Sequence, residues 1–292
     1  MKRRWLAIPG TLILLLVVGT IGSKWYAARL AERKTAVLQA RISPYLAIQH
    51  GPATYNLVTG TLRISDIRTT GIVGKTVCTI REVVVKDFDY DNKVPNFASV
   101  NISGIHVDMA QGGLKYMADF LHQYGLQSVE LNVSLDYRYT VPDKTLTVNR
   151  IALEGVDLAM VSTSMVLSNI EWPMMDNFLA AIMAVWQTKL LNARIQLSDH
   201  ALCDRVLDHL ATSTSQSRQE VVNTIVGKIT AVVSERQVVS SSDIPAEVSK
   251  FLSKPNELTL SILPPQPLAL ISMRSLPMRD LSRLLNLELK AQ

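Results

Sequence analysis

Residues 198–210, Ser-Asp-His-Ala-Leu-Cys-Asp-Arg-Val-Leu-Asp-His-Leu, hold two histidines, three aspartates and one of the chain's two cysteines within thirteen positions. Imidazole, carboxylate and thiolate are the ligands of zinc and similar cations, and a His–Asp pair is also a general acid–base couple. Helical spacing sorts these residues. At 100° per residue, Leu202, Cys203, Val206, Leu207 and Leu210 share an apolar face, so Cys203 is expected in a core. His209 points away from His200, and His200 and Asp208 stand about 12 Å apart along the axis, too far to share an ion. Only His200 with Asp204 keeps ligand-pair spacing. The expected reading is a solvated helix face beside a core stripe, with Asp199 or Ser198 as N-cap.

Other motifs carry less. Gly71-Ile-Val-Gly-Lys-Thr76 has two residues between its glycines, where a phosphate loop needs four, and the β-branched text after it reads as strand rather than helix. Asn101-Ile-Ser103 and Asn132-Val-Ser134 match the glycosylation pattern but fall within expected strands. The chain has no Gly-x-Ser-x-Gly, His-Glu-x-x-His or Cys-x-x-Cys. No catalytic residue, metal ligand or cofactor is therefore assigned. Cys78 and Cys203 could close a disulfide in an oxidising compartment, and free core thiols are the preferred reading.

The elements that would position any site begin with Lys2, Arg3 and Arg4, followed by the uncharged run Leu6–Gly22. Trp5 and Trp25 bracket it as interfacial aromatics would. This predicts a retained signal-anchor over a cleavable signal peptide, although the seventeen residues lie at the lower edge of what crosses a bilayer. The charge divides accordingly. Residues 1–50 hold eight Lys/Arg against one Glu, and the remainder holds twenty-two against twenty-four Asp/Glu. The pI near 9.2 thus belongs to the N-terminal flank, where Lys2, Arg3, Arg4, Trp5 and Trp25 would meet lipid headgroups. The main domain has no basic footprint for nucleic acid.

From Lys24 to about Ile48 an Ala-rich helical pattern predicts a stalk. The period then drops to two. Strands are expected over Thr54–Gly71, Thr76–Tyr90, Phe97–Met109, with a bulge at Gly104, and Ser128–Tyr139, then two more around Gly155. A helix is expected at 114–124, and another from Asp176–Asn177 to about Leu190, each followed by an alternating strand. This suggests a weak helix–strand duplication around 114–136 and 178–200. The second helix carries Phe178, Ile182 and Trp186 on one stripe, read as core or as an apolar-groove or membrane contact. Helices at 199–212, 217–234, 245–253 and 277–285 are expected, with strands at 257–263, 267–273 and the C-terminus.

The order of basic tail, apolar run, Gly60-Thr-Leu-Arg-Ile-Ser-Asp-Ile67 and Pro95-Asn-Phe-Ala-Ser-Val-Asn-Ile-Ser-Gly-Ile-His-Val107 resembles AsmA-like and other single-pass bacterial periplasmic envelope proteins. The resemblance covers about half the chain by pattern. It implies a curved sheet with an apolar concave face, a role in envelope lipid or membrane-protein homeostasis, and no catalytic residues to carry over.

The expected fold class is α+β: an N-terminal transmembrane helix and helical stalk, then a curved, mainly antiparallel sheet domain with amphipathic helices packed on it. The expected organisation is a cytoplasmic tail (1–5), signal-anchor (6–22), stalk (23–50) and one extracytoplasmic domain (51–292). The expected function is non-enzymatic binding of lipid or an apolar ligand in a sheet groove, in the periplasm at a bacterial inner membrane. The alternative is a structural or assembly subunit of an envelope complex. The expected partners are membrane lipid and envelope proteins.

Overall fold

The computed structural model describes residues 7–43, 47–70, 76–107, 129–171 and 187–292. Twelve strands form a single sheet. They are β1 (Ala47–Gln49), β2 (Ala53–Asn56), β3 (Thr61–Thr70), β4 (Thr76–Phe88), β5 (Phe97–Val107), β6 (Glu130–Thr140), β7 (Thr145–Gly155), β8 (Ala159–Ser168), β9 (Lys189–Asp199), β10 (Glu257–Ile262), β11 (Leu268–Ala269) and β12 (Leu287–Ala291). The spatial order is β1-β3-β4-β5-β6-β7-β8-β9-β10-β12, with β2 on β3 and β11 on β9, and the ladders are antiparallel. The helices are α1 (Ala7–Ile42), α2 (Leu202–Thr214), α3 (Arg218–Glu235), α4 (Ile244–Ser253), α5 (Leu270–Ser275) and α6 (Met278–Leu285).

Because side chains alternate across a strand, the register separates the sheet into two chemically distinct faces. One runs through Leu62, Val85, Val100, Leu135, Ile151, Thr163, Ile195, Leu260 and Leu289, each the cross-strand partner of the next. The other carries Glu82, Ser103, Asn132, Glu154 and their neighbours. The bulge expected at Gly104 is present. The register slips between Ile102 and Ile105, and Gly104 sits at φ +68 with its N–H donated to the Asn132 Oδ1 at 3.0 Å.

The expected transmembrane element is corrected: among the described residues no helix is long and apolar enough to cross a membrane. The physical reason lies in length and continuity. Seventeen residues rise about 26 Å, against a hydrocarbon core of about 30 Å. The helix that takes up this run from Ala7 onward continues unbroken into a charged half. That half is not a free stalk. Ala31 is fully buried against Leu62, Ile64, Ile67 and Val85, and Leu38 packs beside it. The helix ends at Ile42, and Ala47–Gln49 pairs with β3 as a strand. A small side chain at 31 lets the helix backbone approach the sheet closely. Lys34 Nζ lies 4.6 Å from the ring centroids of both Tyr55 and Tyr90, and Arg41 donates to the Tyr90 and Asn92 carbonyls at 3.0 and 2.9 Å. Burial, with Tyr55 nearby, pushes the Tyr90 phenol up to about 12. Lys2, Arg3, Arg4 and Trp5 lie outside the described residues. Trp25 is exposed, with the Arg29 guanidinium stacked 4.8 Å from its ring.

The hairpin between β4 and β5 is closed by Asp89, only 4% exposed. Its carboxylate accepts from Asp91 N, Asn92 N, Asn92 Nδ2 and Asn96 N at 2.7–3.1 Å. Burial pushes its pKa up, but these donors outweigh burial and hold it below the ordinary carboxylate value. A carboxyl with a depressed folded pKa stabilises the fold above its unfolded pKa, and that contribution fades as pH falls through the folded value. Asp89→Ala should therefore cost about 2–3 kcal/mol at neutral pH. The difference from wild type should shrink below about pH 4 in urea melts taken across pH.

At the other end α2, α3 and α4 pack around Leu207, Val221 and Val222. Ser217 and Glu220 form a capping box, and Asp243 caps α4 ahead of Pro245. The outer edge of β12 is occupied by side chains. Leu289 N donates to Ser242 Oγ, Ala291 N donates to Glu247 Oε2, and the Leu287 and Ala291 carbonyls accept from Ser240 Oγ and Lys250 Nζ. The expected strand 267–273 is strand only at Leu268–Ala269 and then turns helical at Leu270, whose N–H donates to the Thr188 carbonyl.

Candidate functional site

The cluster at 198–210 disperses in three dimensions. His200 precedes the helix rather than lying on it, and its N–H donates to the Leu158 carbonyl at 2.9 Å. Asp199, buried on the apolar face, accepts from Cys203 N at 2.9 Å, so it does the work of an N-cap although the boundary residue is Ala201. Asp204 and Asp208 both pair with Arg218 of α3. Burial, with Asp199 adjacent, pushes the Cys203 thiol up to about 12 and keeps it protonated. Cys78 and Cys203 are both free. Among the described residues no three His, Cys, Asp or Glu side chains converge on a metal-sized point. The residues of this cluster position α2 on the sheet and bind α2 to α3.

Gly71–Lys75 lies outside the described residues; β3 precedes it and β4, not a helix, follows. Phe178, Ile182 and Trp186 also lie outside them.

The sheet itself carries the stronger candidate. Its apolar face is covered at one end by α1, where Leu62 and Ile64 are 1% and 7% exposed. Lower on the face, Leu202 at the start of α2 and Leu131 pack against the pair Val129 and Leu158. Between these the face opens. Ile151, Leu153, Val161 and Ile195 are 43%, 49%, 45% and 38% exposed. The register makes them contiguous: Leu153 is opposite Val161, and Ile151 and Ile195 both flank Thr163. The row Ile102–Val133–Leu153–Val161–Leu197–Leu258 crosses six strands without a polar side chain, a width of about 24 Å. Scattered exposed apolar residues are ordinary, whereas a contiguous patch marks a contact site. Alternation placed Ile195 on the apolar side in the sequence, and the stretch around Gly155 read only as two strands. Nothing local to β7, β8 or β9 signals that this stretch is the part left uncovered.

A protein family described as "Uncharacterized protein" matches residues 152–292, just under half of the chain, from late β7 to the C-terminus. No curated protein matches the chain. The resemblance to AsmA-like proteins therefore rests on sequence pattern alone.

Proposed function

We propose that this protein is a non-enzymatic binder of lipid acyl chains, or of a ligand equally apolar, working at the bacterial envelope where such ligands are concentrated. The observation that carries the proposal is the open apolar stretch of β7–β9. A β-branched and leucine-rich surface, broken only by the Thr163 hydroxyl between Ile151 and Ile195, recognises hydrocarbon by area. A ligand lying across the strands would cover Ile151, Leu153, Val161 and Ile195 together. The ion pairs that occupy Asp204 and Asp208, and the protonated Cys203, support a binding role over a catalytic one.

The assembly-subunit reading would use sheet edges to add a partner strand. The side chains capping β12 leave fewer free backbone groups there, which favours the face over the edge as the working surface.

The test is native mass spectrometry and a titration with a fluorescent fatty acid on the full chain and on Leu153→Asp/Val161→Asp. Wild type should carry apolar ligand, and the variant should bind at least about tenfold more weakly, since each charge must be desolvated under the hydrocarbon. Thermal stability should change little, because both positions are already half-exposed. Equal binding by the double variant would sink the proposal.

A further inference from the structure

The opposite, polar face holds a second feature that the apolar-ligand reading does not use. In β7 the register with β8 passes from Val148–Met165 directly to Ile151–Thr163, so Asn149 and Arg150 together face Ser164. The register with β6 slips at the same place. A bulge of this kind puts two consecutive side chains on one face and re-aims them. Ser164 is in turn the cross-strand partner of Arg194 in β9. The result is a row Arg150–Ser164–Arg194 across three strands, with the two arginine backbones about 10 Å apart and a hydroxyl between them.

Among the described residues the partner of Arg150 is the Met160 thioether, at 3.1 Å, a weak acceptor. The side chains of Arg194, Ser162 and Ser164 have no hydrogen-bond or ion-pair partner among the described residues. Asp136, the carboxylate nearest in register to Arg150, is already engaged by Ser99 Oγ at 2.9 Å and Asn149 Nδ2 at 2.7 Å. The row borders a cleft of about 210 Å³ lined by Asn149, Arg150, Ser162, Ser164, Arg194 and Gln196, among others, with no carboxylate in its lining. Among the described residues neither guanidinium meets a carboxylate, in a domain that is otherwise slightly acidic.

We propose that Arg150 and Arg194, with the Ser164 hydroxyl between them and the Ser162 hydroxyl two residues along β8 on the same face, form a binding site for a phosphate group. The guanidinium fork matches tetrahedral oxyanions by paired N–H donors, and the hydroxyls supply two further donors from the floor of the cleft. The phosphate belongs either to a soluble phosphate compound or to a phospholipid headgroup. The site faces away from the apolar patch, so one ligand does not fill both.

The experiment is calorimetric titration of the full chain with inorganic phosphate at constant ionic strength, on wild type, Arg150→Gln, Arg194→Gln, the double variant and Arg194→Lys. Each single glutamine variant should bind about tenfold more weakly and the double variant not measurably. Arg194→Lys, which keeps the charge but loses the fork, should fall between wild type and Arg194→Gln. Circular dichroism of the exposed-site variants verifies the fold. Sedimentation with phosphatidylglycerol vesicles, against phosphatidylcholine vesicles, separates the sources. Arginine-dependent capture by the anionic vesicles identifies a headgroup, and phosphate binding without vesicle capture identifies a soluble compound. Absence of phosphate and anionic-vesicle binding in wild type, or equal binding by the double variant, overturns the site.

Discussion

Gly104→Ala should destabilise the protein by about 2–4 kcal/mol, read as a lower urea midpoint. Two independent costs add. At φ +68 a residue with a Cβ sits in the left-handed region, which costs about 1 kcal/mol. The added Cβ would also lie 2.5 Å from the Arg81 Cβ and 2.9 Å from its Nε. A Cβ cannot swing aside as a side-chain tip can, so β4 or β5 must move, and overpacking of this kind costs about 1–3 kcal/mol. Relief by moving the bulge would break the Gly104–Asn132 hydrogen bond and loosen Asn132 from Glu154. Gly227 gives the contrasting result. It lies exposed in the interior of α3, and a Cβ added there would meet nothing within 4 Å, so Gly227→Ala should raise stability by about 0.5–1 kcal/mol.

Leu62→Ala should cost about 3–5 kcal/mol, with the urea midpoint lowered and the m-value unchanged. Leu62 is 1% exposed and stands where β3, β4 and α1 meet, against Ala31 and Val85. Ala31 has only a methyl group with which to fill the space, and the sheet backbone is held by ladders on both sides, so the cavity cannot collapse fully. The same substitution should speed proteolysis in the charged half of α1, since that helix meets the sheet through this contact and the Lys34 and Arg41 clamps. A midpoint shift below about 1 kcal/mol would mean that α1 is not held through Leu62.

Much of the sheet was legible in the chain because period-two alternation is a local property of a pleated strand. Ile102, Ile105, Leu131, Val133 and Leu135 read as one face and are one face. The bulge was legible too, since a glycine at a phase break leaves few other options. The run Leu268–Ser275 was not. A short apolar stretch fits either period, and β11 stops after two residues where Leu270 begins a helix by donating to Thr188. The His/Asp/Cys cluster was legible as a solvated helix face, but not its partner. Its composition is that of a metal site, but the partner that organises Asp204 and Asp208 is Arg218, fourteen and ten positions away on another helix. The N-terminal apolar run and the Ala-rich stretch after it were legible as helix, but not the docking of the charged half on the sheet.

Taken by itself, the sequence determined two chemically opposed sheet faces and the positions of most strands and C-terminal helices. These depend on side-chain alternation and on hydrogen bonds within a few residues. Tertiary structure alone decided which part of the apolar face lies under α1 and which part, at Ile151, Leu153, Val161 and Ile195, stays open. It also decided that Arg150 and Arg194 share a row while Asp204 and Asp208 are neutralised by Arg218. Coverage and charge pairing are sums over elements distant in sequence, and no local pattern encodes them.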